Sequence, residues 1–237
     1  MLRTVIRAFL GYSSLLLVLA GVPLCSGQEL LDILATELQR NFTTLQQKGD
    51  PKPYYLSYEV THQETAVVDA SLGALRASDA NQQRVFDVSI RIDSPRFDNY
   101  HRVRGGRARF TSGTFLPLED KAVPIHRILW RDTDRAYRGA VERLALIRSN
   151  QEVKVEEKDQ SPDFSAEPAA NSVQPPAALR VDRSAWEPRI RKWSARFKGK
   201  KEILSSQIRI TANADTRYFV DSDGARIRHG RTFARLT

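Results

Sequence analysis

The chain has 237 residues, 37 of them Lys or Arg against 28 Asp or Glu, for a formal charge of +9. That length holds one large domain or two small ones, and a single cysteine excludes a disulfide framework or a multi-thiolate metal site built by the chain alone. The positive surplus favours anionic partners or serves solubility.

Arg3 and Arg7 precede an apolar run from Ala8 to Leu24, and Cys25-Ser26-Gly27 then leads into polar Gln28. Charge, apolar segment and small residues in that order read as a cleavable secretory signal over residues 1–27. The run is short for a spanning helix, which needs about 20 apolar residues. Leu24 is bulkier than the residue that normally precedes a lipidated cysteine. Cleavage leaves 210 residues with a charge of +7 and removes Cys25. The expected location is therefore outside the cytoplasm, periplasmic or extracellular, with membrane contact only through an uncleaved signal.

Leu30, Leu31, Ile33, Leu34, Leu38, Phe42 and Leu45 fall near helical spacing, which predicts a helix over Leu30–Gln47. Tyr54–His62 and Ala66–Ser78 read as two strands, with Gly73 marking a bulge or a close backbone approach. A third strand follows, with Phe86, Val88, Ile90 and Ile92 on one face and Asp87, Ser89, Arg91 and Asp93 on the other. Three such strands predict an antiparallel meander with one wet face. Ser94–Leu118 is loop-rich, and Pro124–Val153 reads as a long helix. The prolines of Ser161–Leu179 predict an extended linker or a strap across the surface. Ser184 and Glu187 are placed as a capping box, and Trp186, Ile190, Trp193 and Phe197 form a core stripe behind it. Ile203–Ala212, Arg217–Val220 and Ala225–Arg228 read as strands, with a turn at Asp223-Gly224, and Thr232–Leu236 starts another. The class is α+β, antiparallel sheets packed with amphipathic helices after a cleavable signal peptide. The regions are 28–160, a Pro-rich linker or strap at 161–180, and 181–237.

No catalytic residue and no metal ligand can be assigned. His62, His101, His126 and His229 form no His-Glu-x-x-His pair, and His62-Gln63-Glu64, placed at a strand end, is the nearest local approach. There is no Gly-x-Ser-x-Gly elbow, no Ser-x-x-Lys pair and no phosphate-binding glycine loop. Asp132 and Asp134 point to different sides of their helix, and Asp132 can pair with Arg135 instead. Asn41-Phe42-Thr43 matches a glycosylation acceptor but falls on a helix. Arg102, Arg104, Arg107 and Arg109 flank Gly105-Gly106 and are the candidate anion-binding residues; the alternative is a solvated hairpin edge. The basic segment Arg189–Lys201 adds a second cationic stretch, and the two together would suit a stand-alone envelope module for anionic ligands. Export argues against nucleic acid as a partner.

Five segments resemble the N-terminal half of the TldD/PmbA family, known as modulators of DNA gyrase and as zinc metallopeptidases. They are Pro53–Tyr58, Phe86–Ile92 with Phe97-Asp98-Asn99, Leu129–Tyr137, Pro162–Ser165 and Arg217–Gly224. The likeness is greatest to the exported branch. It implies an α+β domain that helps form a substrate channel and pairs with a TldD/PmbA-like subunit, as a homodimer or heterodimer, with peptide substrate reached through the partner half. In the family the zinc ligands lie in a later His-Glu-x-x-x-His motif, which no position here matches. The resemblance thus implies no cofactor in this chain, with zinc expected only in a C-terminal half, and a frame truncated at a strand-like end.

Overall fold

The computed structural model describes residues 26–102, 113–151 and 161–237. The leader residues up to Cys25, and Arg104, Arg107 and Arg109 with their glycine pair, lie outside the described residues. The expected cleavage point after Gly27 falls in the first turn of helix α1, Ser26–Lys48.

A polar stretch does not end a strand when neighbours on both sides satisfy its backbone groups. Strand β1 accordingly runs unbroken over Pro53–Ser71, where the sequence reads as two strands. Gln63, Glu64 and Thr65 stay in register with Gln83, Gln82 and Asn81 of β2, Ala74–Ser94. At about 3.3 Å per residue, both strands reach roughly 60 Å. Leu72 and Gly73 join them with φ of 48° and 87°. Gly73 is therefore the corner of a two-residue hairpin turn, whose positive φ values match the strand twist, and not a bulge. The third strand read from the sequence is the second half of β2. The same fusion occurs later: β6 is one strand over Ile208–Asp221, and β7 one strand over Arg226–Leu236.

Short strands β3 (Phe97–Asp98), β4 (Thr114–Phe115) and β5 (Asn171–Val173) complete a seven-stranded sheet. Its order is β3-β2-β1-β6-β7-β5, with β4 on β2. Every pairing is antiparallel except that of β5 with β7. The two halves of the sequence thus share one sheet, since β6 lies against β1.

Residues of even number from Leu56 to Ala70 of β1 share one face, and that face is apolar at both ends and polar between them. At one end Leu56, Tyr58 and Val60 pack with Phe86, Val88, Ile90 and Ile92 beneath α1 and α2 (Ala122–Gln151). Leu30, Leu34, Ile125, Leu129 and Leu144 supply the helical side of this core. Each fully buried side chain of that size contributes about 1.5–3 kcal/mol. At the other end Val68, Ala70 and Ile210 pack with Ile190, Trp186 and Trp193 of α3, Arg183–Ser194. Trp186, Ile190 and Trp193 of the expected aromatic stripe are core, as their helical spacing indicates, while Phe197 falls in the turn after α3 and outside this cluster. The capping box is not formed. Asp182 caps α3 by accepting from the Ala185 amide, and Glu187 instead accepts from the Ser78 hydroxyl. Asp182 wins because one carboxylate, two residues earlier, holds both that amide and the Ser184 hydroxyl.

The opposite face carries no helix among the described residues and is hydrogen-bonded across the strands. Gln83 donates to Gln63, Gln63 to Asp215, and Arg231 pairs with the same carboxylate. This is the wet face expected from the alternation in β2. No helix among the described residues is long and apolar enough to cross a membrane.

Candidate functional site

Between the two apolar ends of the helical face lies a polar saddle. In register across it stand Gly230 of β7, Thr216 of β6, His62 of β1 and Arg84 of β2. His62 is thus mid-strand, not at the strand end expected. Arg84 shares a face with Phe86 and Val88, so its charge is buried and needs partners. It donates from Nε to His62 Nδ1 at 3.0 Å and from Nη1 to the Pro117 carbonyl at 3.1 Å. It also pairs with Asp120, and both side chains are almost wholly buried. Asp120 Oδ2 is buried and has no hydrogen-bond partner among the described residues. Because Nδ1 accepts from Arg84, the neutral His62 ring carries its proton on Nε2, 3.7 Å from Glu64 Oε1. Burial, with Arg84 second, holds the His62 pKa below its ordinary value.

The proline-rich segment crosses this saddle. The Ala177 amide donates to Thr216 Oγ1 at 2.9 Å and the Leu179 amide to Glu64 Oε2 at 3.0 Å. Gln174 and Arg228 exchange two backbone-directed bonds at the β7 edge. A Cβ at Gly230 would sit 2.7 Å from the Ala177 nitrogen, so only glycine admits this close crossing.

A second polar assembly closes the far end of the wet face. Asp98, fully buried, accepts from the Tyr54 hydroxyl at 2.5 Å, from Arg91 at 2.6 Å and from the Tyr100 amide at 2.6 Å. The Arg91 guanidinium lies between the rings of Tyr100 and Phe164, at 4.1 and 4.7 Å. Asp163 accepts from the Asp98 amide and bonds His101 Nδ1 at 2.9 Å. Asn99 bridges the Ile90 carbonyl and Ile92 amide, and its own carbonyl accepts from Arg143. Tyr55 stacks on Phe164 and reaches Asp221, and burial pushes its phenol up to about 12. The Ser222 hydroxyl accepts from the Leu56 amide, and Tyr58 bonds Thr133 and Asn41 beneath the helices.

The remaining candidates disperse. Arg102 is exposed. His126 lies 3.9 Å from Glu37, and His229 is exposed on β7 opposite Arg217. Asp132 is buried against Arg131 and Arg135, while Asp134 pairs with Arg138, so they form no dyad. Asn41 is buried and its amide donates to Glu37, which closes it to glycosylation. No group of three or more His, Cys, Asp or Glu is placed to hold a metal among the described residues. The nearest set, His62 with Glu64 and Asp120, does not fit zinc, because Arg84 already occupies the free lone pair of His62.

Sequence reasoning missed Arg84, Asp120 and the Arg91–Asp98–Asp163 assembly. Arg84 did carry a signal, since the alternation that buries Phe86 buries a charge two residues earlier. Nothing local pointed to Asp120 or Asp163 as partners.

No family model matches the chain, and no curated protein matches it. Solved structures similar to it include TldE from Thermococcus kodakarensis, at 7% identity and a TM-score of 0.44 over 87% of this chain. A candidate modulator of a DNA gyrase from Thermotoga maritima aligns at 9% identity and a TM-score of 0.38 over 85%. Another, from Bacteroides thetaiotaomicron, aligns at 9% identity and a TM-score of 0.43 over 85%. The chain spans only 38%, 38% and 39% of the length of these three proteins.

Proposed function

We propose that this chain is a non-catalytic N-terminal domain of an exported TldD/PmbA-like metallopeptidase, shaping a substrate channel or subunit interface. The observation that carries the reading is convergence. The five segments that resemble the family are scattered from Pro53 to Gly224, yet they meet at one end of the sheet. Tyr54 and Tyr55 of the first touch Asp98, Phe164 and Asp221 of three others. Tyr58 joins the first to Thr133 of the Leu129–Tyr137 segment. Residues that recur for one packing reason are expected to assemble in this way. The assembly leaves its carboxylates saturated by Arg91, tyrosine hydroxyls and amides, so it braces rather than reacts.

Purified chain supplied with zinc is expected to bind no stoichiometric metal and to cleave no unfolded peptide. Affinity capture from the native source is expected to recover a chain bearing His-Glu-x-x-x-His, or the same motif encoded downstream in the same gene. Peptide cleavage by the chain alone would overturn the proposal.

A further inference from the structure

We propose that the end of the molecule formed by α3, the turn after it and the tip of the β1–β2 hairpin docks on an anionic lipid surface. The inference is independent of the family reading. Ile190, Trp186 and Trp193 turn inward, so the helical spacing of Arg189, Lys192 and Arg196 sets them on one outward stripe. Lys198, Lys200 and Lys201 prolong it. All six are exposed, and among the described residues none has a carboxylate within 4.0 Å. Several exposed or half-exposed arginines elsewhere are paired, as in Arg148–Asp93, Arg209–Asp69 and Arg217–Glu59, whereas here six unpaired cations stand within thirteen residues of chain. The hairpin tip is fastened to this end: the Gly73 amide donates to Ser194 Oγ, Arg191 Nε donates to the Gly73 carbonyl, and the Leu72 amide donates to Ser206 Oγ.

The patch is not purely cationic. Leu204 is 95% exposed beside the lysines, and Leu75 is exposed near the hairpin tip. Unpaired basic residues around a protruding apolar side chain match a headgroup layer over acyl chains. Nucleic acid fits less well, because Trp186 and Trp193 are half-buried against the Val68 and Ile190 core and the Arg189 guanidinium lies over the Trp186 ring, which leaves little aromatic face for a base to stack on.

The test is flotation of the full chain with phosphatidylcholine vesicles, with and without phosphatidylglycerol. The neutral vesicles account for binding through the apolar Ala8–Leu24 run. Phosphatidylglycerol is expected to raise binding at least a thousandfold, and added salt to reverse the gain. Replacing Lys198, Lys200 and Lys201 by Gln is expected to lower the anionic gain by about a hundredfold. Leu204→Ser is expected to lower binding to the phosphatidylglycerol vesicles by about tenfold. These exposed changes leave circular dichroism unchanged. Equal binding to both vesicle types overturns the proposal. So does a neutral Leu204→Ser with full competition by duplex DNA, which would mark the patch as a nucleic-acid surface.

Discussion

Arg84→Met tests what holds the polar saddle. The substitution keeps an apolar stem and removes the guanidinium. Asp120, almost wholly buried and with Arg84 as its ion-pair partner, is left as an uncompensated charge. Removing one partner of a buried pair costs about 3–5 kcal/mol. At about 2–4 °C per kcal/mol for a chain of this size, Tm falls by about 6–20 °C. In Arg84→Met/Asp120→Leu no stranded charge remains, and most of the loss is expected to return. His62 reports independently. Its folded pKa lies below the ordinary 6.5, first through burial and then through Arg84. Above pH 6.5 the ring is neutral in both states, and stability is full. As pH falls below that value the unfolded chain takes up a proton the folded chain resists, and stability declines. Without Arg84 the His62 pKa rises and this decline becomes shallower. Thermal unfolding of both variants between pH 5 and 8, with an NMR titration of His62, measures all three effects. A loss under about 1 kcal/mol in Arg84→Met, or a double variant as unstable as the single, would refute the buried-pair account.

Gly230→Val should lift the strap without touching the apolar cores, since its side chain must displace Ala177. Limited proteolysis is expected to cut between Gln174 and Leu179 faster than in the parent, with a Tm change of only a few degrees; unchanged cleavage would mean the strap is held elsewhere. Tyr58→Phe removes a buried hydroxyl shared by Asn41 and Thr133, each of which keeps another bond, to Glu37 and the Leu129 carbonyl. A loss of about 1 kcal/mol in chemical denaturation is expected, because neither partner is left unpaired.

The α+β class and most of the elements were legible in the sequence because amphipathic spacing is a local property. The stripe of α3, the alternation of Phe86 to Ile92 and the presence of α1 and α2 follow from which residues must leave water. Strand ends were not legible. Gln63-Glu64-Thr65 looks like a break along the chain, yet β2 and β6 on either side hold it in the ladder. The sequence also sets which charge is buried, since Arg84 falls on the apolar side of its strand. Only the tertiary structure decided what answers that charge. Asp120 is 36 residues away, and Asp98 and Asp163, which share the corner with Arg91, are separated by 65. Pairings across such distances depend on how the sheet closes, and no local pattern encodes them. Side-chain periodicity decided which residues leave water, and the fold decided which of them meet.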